Sequence, residues 1–391
     1  MHDPIVITGI GILSPLGIGA AESAAALREG ESAVLPCSRF APPPGYAPLC
    51  GEVPPFRVEE YLLAPKAYLD RNSELLLAAT GMALRQAGVD VARLVPERAG
   101  ILVGTAWAGQ DTMAAFFADY VQKGPRLVKP FLFPHTYFNT AISLAAMEWS
   151  LRGVHQSFAS GRLAAGQALV EACDLLADDE AELILAGGCE ALGPALFRTL
   201  AAQGLLRPKG DEAAPGLVPG EAGVMLVLER QAHARARGAT VLATVLGTGL
   251  SRGTGTGLDA LADAGGSGGP ALPAGHADGQ VMATDGPGRM AASAIWCALQ
   301  QAGMAPQAVA GVCVSANGDA AVAAAENAAL QQVFGTRLLA RLAPATLCGD
   351  TQGACTALQA ALVVLQSAGA PVLVLTTEAD GSSVALLLRA P

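Results

Sequence analysis

Gly153-Val-His-Gln-Ser-Phe158-Ala-Ser-Gly161-Arg-Leu-Ala-Ala-Gly-Gln167 is followed further on by Leu183-Ile-Leu-Ala-Gly-Gly-Cys-Glu190, and the fold is read from these two pieces. Their spacing predicts a tight turn over Ser157 to Gly161 and a helix carrying Leu163, Ala165, Leu169, Val170 and Cys173 at helical intervals. An acidic loop at Asp178 to Glu180 follows, then a buried strand from Leu183 to Ala186 closed by Gly187 and Gly188. Turn, helix and strand together make a nucleophile-elbow layout. A side chain at the top of such a turn stands beside the free N–H groups of a helix N-terminus, whose dipole favours a thiolate or an oxyanion. The layout suits acyl chemistry, yet its occupant is Phe158, and a phenyl ring has no nucleophilic atom.

Composition narrows the class. Hydrophobic residues make up 52% of the 391 residues and charged residues 15%, which fits an α/β protein with strands buried on both faces and a broad subunit interface. The length allows two or three domains, although a large duplicated α/β fold forms one unit at this size. A net charge of −10, with no basic run, argues against nucleic-acid binding, so an anionic carrier partner would need a local arginine patch. Cysteines at 37, 50, 173, 189, 297, 313, 348 and 355 form no CxxC pair and read as reduced core residues of a cytosolic protein. No secretory signal is expected, because the apolar run Ile5 to Ile12 is too short for one and is broken by Gly9 and Gly11. The uncharged runs Met290 to Gly318 and Thr351 to Thr377 are broken by Gly303 and Pro306 and by Gly369 and Pro371, so no membrane span is expected, and neither is a cofactor or metal site.

Taken in order, the chain predicts a strand over Pro4 to Ile10, a Gly-rich turn from Gly9 to Gly17 and a helix over Ala21 to Leu27. Seven prolines mark Pro36 to Tyr61 as a surface loop; a helix from Ser73 to Gln86 ends at Gly88, and Arg98 to Thr105 is the next strand. Nine aromatics crowd the span from Trp107 to Trp149, a composition that serves either core packing or a dimer interface. Strands follow at Ala222 to Glu229 and Ala239 to Gly247, and Gly249 to Gly286, with eleven glycines, reads as an extended loop. Beyond it the pattern predicts a helix over Gly288 to Ala302, a strand over Ala310 to Ser315 and a helix over Ala320 to Phe334. A turn at Cys348 to Gly353, a helix over Ala354 to Ser367 and strands at Pro371 to Thr377 and Val384 to Arg389 complete it. The unit of Gly161, its helix and the strand to Ala186 is echoed by Gly353, its helix and the strand to Thr376, at an offset of about 190 residues. Two pseudo-symmetric halves are expected, 1–240 and 241–391, with two helix N-termini facing one another and the site between them.

Several motifs carry a family resemblance. Ile5-Val-Ile-Thr-Gly-Ile-Gly11 with Ser14-Pro-Leu-Gly17, Gly124-Pro-Arg126 with Pro130-Phe131, Leu151-Arg-Gly153, Ala186-Gly-Gly188, and Gly220-Glu-Ala-Gly-Val224 with Leu228-Glu229 resemble the signatures of β-ketoacyl synthases. The resemblance implies a thiolase-like, duplicated α-β-α-β-α layered fold. It also implies condensation of an acyl thioester with a malonyl-carrier thioester, using an elbow cysteine, two histidines and a lysine near the second of them. Carried across residue by residue, none of the four is kept: the cysteine position holds Phe158, the histidine positions Asn317 and Asp350, and the lysine position Ala345. A slip of two residues would put Gln156 at the elbow instead. The family's glycine-phenylalanine loop is replaced by Thr377-Glu-Ala-Asp-Gly-Ser382, whereas the buried glutamate of its middle motif matches Glu326.

Without a thiolate there is no acyl-enzyme, and without imidazoles nothing stabilises an enolate; an ionised Asp350 would carry the wrong sign for that task. Phe158 reads as a core aromatic or as a plug, Asp350 as a helix cap, Asn317 as a turn residue, and Cys348 and Cys355 as small core hydrophobes. His135 and His155 are the only histidines near the expected site. The resemblance therefore implies a non-catalytic, cytoplasmic subunit of the chain-length-factor type in polyketide, aryl polyene or fatty-acid-like biosynthesis. Such a subunit pairs with an active ketosynthase, through it meets acyl carrier protein, and shapes the partner's acyl tunnel with side chains such as Phe116, Phe133 and Tyr137. The alternatives are an acyltransferase or thioesterase using Ser157, Ser160 or a cysteine, and a binding protein for acyl or carrier groups.

Overall fold

Every residue of strand β1 (Ile5–Ser14) is buried in the computed structural model, which describes residues 3–211, 214–252 and 286–391. A strand whose two faces are both covered has no need of polar alternation, and its run of Ile and Val shows none. The first half continues with the short strands β2 (Gly17–Ile18), β3 (Leu35–Pro36) and β4 (Leu49–Cys50), then β5 (Ala99–Gly104), β6 (His155–Phe158), β7 (Leu183–Glu190) and β8 (Ala222–Arg230). The second half supplies β9 (Ala243–Ser251), β10 (Gly311–Val314), β11 (Ala340–Leu342), β12 (Val372–Thr377) and β13 (Ser383–Arg389).

Duplication shows in the strand order. From outer edge to centre the first half runs β6-β5-β7-β8-β1 and the second runs β11-β10-β12-β13-β9. In each, the three outer strands are parallel and the fourth is antiparallel to its neighbour. The halves join where β1 pairs antiparallel with β9, Ile5 opposite Val245 and Ile7 opposite Ala243. Helices Ala164–Ala177 and Cys355–Gln366 form the central layer, sharing one apolar cluster with the inner faces of both half-sheets through Leu169, Leu226, Leu358 and Leu386. Arg71–Gln86 and Thr140–Glu148 cover the outer face of the first half, and Pro287–Gln301 and Ala320–Phe334 that of the second, which completes five layers.

Several boundaries differ from the sequence expectation, mostly because glycine marks close packing here rather than a turn. β1 runs on through Gly9 and Gly11 to Ser14: a Cβ at Gly11 would stand 1.7 Å from the carbonyl oxygen of Ala79, so the glycine lets the helix Arg71–Gln86 lie against the strand. Close packing likewise carries β7 on through Gly188, where a Cβ would stand 2.7 Å from Ala165 Cβ, to Glu190, and β9 through Gly249, where it would stand 2.0 Å from the Ala294 carbonyl oxygen; β9 begins only at Ala243. The remainder of the glycine-rich stretch, 253–285, lies outside the described residues. The proline-marked loop contains the β3–β4 hairpin and a helical turn at Val58–Tyr61. Helices Gln110–Lys123 and Thr140–Glu148 organise the aromatic span.

One buried cluster makes a pH prediction. Glu229, at the end of β8, is fully buried and accepts hydrogen bonds from Thr8 Oγ1 and from Arg237, and its Oε2 lies 2.6 Å from His233 Nδ1. Burial alone would raise this carboxyl, but the bonds from Arg237, His233 and Thr8 outweigh it and hold the pKa down at about 2. A carboxyl depressed in the folded state stabilises above its ordinary value near 4.5 and loses that contribution as pH falls toward 2. Glu229→Gln is expected to flatten the acid limb of a stability-against-pH curve between those values; an unchanged slope in denaturant titrations would show that the cluster contributes nothing.

Candidate functional site

The elbow is built by β6 and the helix that follows it. Phe158 is the last residue of β6, paired with Gly104, while Gln156 sits inside the strand opposite Leu102, so Phe158 stands directly before the turn. Its half-buried ring packs against the central apolar cluster. Gly161 adopts φ 60°, and a Cβ there would lie 2.4 Å from Glu378 Oε1. Across the pseudo-twofold axis the second turn runs through Gly349, Asp350 and Thr351 into Cys355–Gln366. The residue corresponding to Gly161 is Gln352 rather than Gly353: each opens the short 3₁₀ turn before its helix, and Gln352 takes the left-handed φ of 45° that glycine takes in the first half. A cleft of about 360 Å³ lies between the turns, lined by Gly161, Arg162, Asn317, Asp350, Gln352 and Glu378. Asn317 and Asp350 thus meet at the expected place. Ala345 lies beside them, on the wall of an adjoining cavity of about 420 Å³ that shares Asn317.

The group that sequence reasoning overlooked is Arg162. Directly after the elbow glycine, it is 5% exposed, donates through Nη2 to the Ser315 carbonyl and places Nε 3.7 Å from Asp350 Oδ1. Its backbone N–H donates to Glu378 Oε1 at 2.6 Å. Asp350, 1% exposed, is satisfied on both oxygens: Oδ2 accepts from Asn317 Nδ2 at 2.6 Å and Oδ1 from the Gln352 N–H at 3.0 Å. Asn317 Oδ1 in turn accepts from the Asp319 N–H at 3.0 Å. Burial opposes the Arg162 charge, but Asp350 and, after it, Glu378 and Glu326 overcome that and raise its pKa, while burial also raises Glu378. The positions matching two family histidines therefore hold an amide and a carboxylate tied into a buried ion pair. A signal was present, since Arg162 follows one turn's glycine and Asp350 opens the other amid otherwise apolar residues.

No nucleophile at the elbow is activated. Ser160 Oγ donates to Gln167 Oε1 at 2.5 Å, and the buried Ser157 Oγ has no partner. His155 sits exposed on β6, and His135 Nδ1 lies 4.0 Å from Asp70, away from the cleft. Burial, with the nearby Asp350, drives the Cys348 thiol far up; burial likewise pushes Cys355 to about 12, so both stay protonated. Glu326, matched to the family's buried glutamate, accepts from Ser315 N–H and Oγ at 2.7 and 2.6 Å, and burial raises it. Among the described residues there is no cluster of three metal-ligating side chains and no helix long and apolar enough to cross a membrane.

The aromatic span packs inward only at its ends, where Trp149 is buried in the core of the first half and Trp107 lies against the Phe197 cluster. Phe117, Tyr120, Val121, Leu127, Phe131, Phe133, Tyr137, Phe138 and Met147 are 41 to 78% exposed, and they account for most of the large apolar side chains left at the surface. Phe116, Phe117, Phe133 and Tyr137 form a chain of ring contacts with centroids 5.2 to 6.0 Å apart. β6 is the free edge of the sheet at this end of the fold.

The N-terminal domain model of the β-ketoacyl synthases matches residues 2–234. Among curated proteins, 3-oxoacyl-[acyl-carrier-protein] synthase 2 of Vibrio harveyi is 30% identical over 256 residues, 62% of this chain and 61% of the relative; that of Rhizobium meliloti is 30% identical over 270 residues, 62% and 63%. The matched region thus spans under two thirds of these relatives. Among solved structures, the ishigamide ketosynthase/chain length factor superposes with a TM-score of 0.84 at 24% identity over the whole of both chains. A ketosynthase in complex with its chain length factor from Xenorhabdus doucetiae gives 0.78 at 20%, over all of this chain and 98% of that one. At those identities the structures establish the fold.

Proposed function

The chain belongs to the β-ketoacyl synthase family, and from that premise we propose that it is a non-catalytic, cytoplasmic subunit of the chain-length-factor type. It pairs with an active ketosynthase in polyketide, aryl polyene or related fatty-acid-like biosynthesis, and through that partner meets acyl carrier protein. The observation that carries the reading is the occupied site: Phe158 stands at the position that matches the family's cysteine, and at those matching its imidazoles Asn317 donates to Asp350, which lies 3.7 Å from Arg162 as an ion pair. Condensation needs a thiolate to accept the acyl chain and neutral donors to steady the enolate left by loss of carbon dioxide. Here the first is missing, and the second is replaced by a carboxylate held by an arginine.

The partner is argued from the exposed aromatic face and the free edge of β6. A strand edge presents unpaired N–H and C=O groups, and apolar side chains beside it are costly to leave in water. A ketosynthase of the same fold carries an equivalent edge and covers both. Phe116, Phe133 and Tyr137 are the side chains we assign to the wall of the partner's tunnel, and residues 240 and 241 mark the proposed division between the two halves, in the connection before β9.

The purified chain is expected neither to condense nor to decarboxylate malonyl-carrier and to gain no mass on incubation with acyl thioesters. An acyl adduct in intact-mass spectrometry, on Ser157, Ser160 or any cysteine, would replace this reading with an acyltransferase.

A further inference from the structure

Cys37 and Cys50 are far apart from the cleft's turns in sequence but adjacent to each other in space. Cys37 directly follows β3 and Cys50 ends β4 of the β3–β4 hairpin, in which Leu35 pairs with Cys50 and Pro36 with Leu49, and the Cys37 N–H donates to the Pro48 carbonyl at 2.8 Å. That register puts both side chains on one face of the hairpin as diagonal neighbours. Both are free thiols, Cys50 fully buried against Leu192, Leu196 and Phe197 and Cys37 half-exposed at the rim of the same cluster.

We propose that this pair is a reversible redox site, closing to a Cys37–Cys50 disulfide on exposure to a peroxide and reopening with a dithiol reductant. The two side chains interact directly. That interaction lowers the Cys37 pKa, against the opposing effects of burial and Glu52 and with help from Arg39, and it raises that of Cys50. The half-exposed sulfur is therefore the attacking one and the buried sulfur the resolving one. Cys37 thiolate displaces hydroxide from hydrogen peroxide to give a sulfenic acid, the hydroxide taking up a proton as water. Cys50 sulfur then attacks that sulfur, its proton and the sulfenic hydroxyl leaving as a second water. Two thiols lose two electrons in all and the peroxide gains them. The neighbouring residues Val34 and Leu49 line the 420 Å³ cavity beside Asn317 and Ala345, so the bridge would fix one wall of that cavity.

The test is peroxide treatment of the full folded chain, followed by alkylation under denaturing conditions and peptide mapping. The expected result is a loss of two mass units, mapped to a cross-link between the peptides holding residues 37 and 50, reversed by dithiothreitol and absent in Cys50→Ser. Cys50→Ser is expected instead to trap Cys37 with a sulfenic-acid probe such as dimedone, a readout that does not depend on forming the bridge. Full alkylation of both cysteines after oxidation, a bridge mapped to any other pair, or a dimer through the exposed Cys297 would overturn the proposal.

Discussion

Arg162→Leu is expected to destabilise the protein by about 3–5 kcal/mol, because it strands the Asp350 carboxylate, 1% exposed, without its cation. Asp350→Leu is expected to cost a similar amount by stranding the guanidinium instead, with Asn317 Nδ2 losing its acceptor as well. The informative variant is the double one. A buried ion pair exchanged as a whole for apolar side chains of similar volume is often neutral or better, so Arg162→Met with Asp350→Leu should recover most of the loss. Midpoints of chemical unfolding for the four proteins check this. Single variants within 1 kcal/mol of the parent would mean that the pair is wet and open, and that the cleft has not been rebuilt as structure.

The exposed face makes the other large prediction. Phe117→Glu and Phe133→Glu, at side chains 56% and 48% exposed in the single chain, are each expected to weaken binding to the partner ketosynthase by at least about 30-fold, the 2 kcal/mol scale of a central aromatic anchor. Leu338→Glu alters a side chain that is 97% exposed and lies beside β11, at the opposite end of the sheet from β6, and should leave affinity unchanged. Calorimetric titration of each variant against the partner separates the two cases. Equal effects at all three positions would show that the aromatic face is ordinary surface.

Much of the fold is legible in the residues, for definite reasons. β8 and β12 announce themselves because strands buried on both faces are unbroken apolar runs, and the elbow helix because its apolar residues recur at helical spacing. β6 does not: His-Gln-Ser-Phe at a sheet edge has neither an apolar run nor a clear alternation, and only its pairing with β5 makes it a strand. Glycines mislead wherever a helix backbone lies on a strand, as Ala79 does on Gly11, since the same residue serves a turn and a close approach. At the site, comparison of motifs gives Phe158, Asn317 and Asp350 as the positions matching the family's cysteine and histidines, and the last two meet in the cleft. Arg162 escapes it because a lone arginine after an elbow glycine looks like a solvated helix start until the facing turn brings Asp350 to 3.7 Å. The aromatic span is read as core or interface in equal measure, and the residues divide: Trp149 is core, whereas Phe117, Phe131 and Phe133 stand at the surface of the single chain.

The central claim is that this chain completes an active ketosynthase rather than acting alone. Co-expression with an active ketosynthase from the same genome, followed by size-exclusion chromatography with light scattering, tests that claim most directly. The account predicts a stable 1:1 complex with condensing activity that is lost when the partner's cysteine is replaced. A well-behaved monomer that elutes apart from the ketosynthase would contradict it.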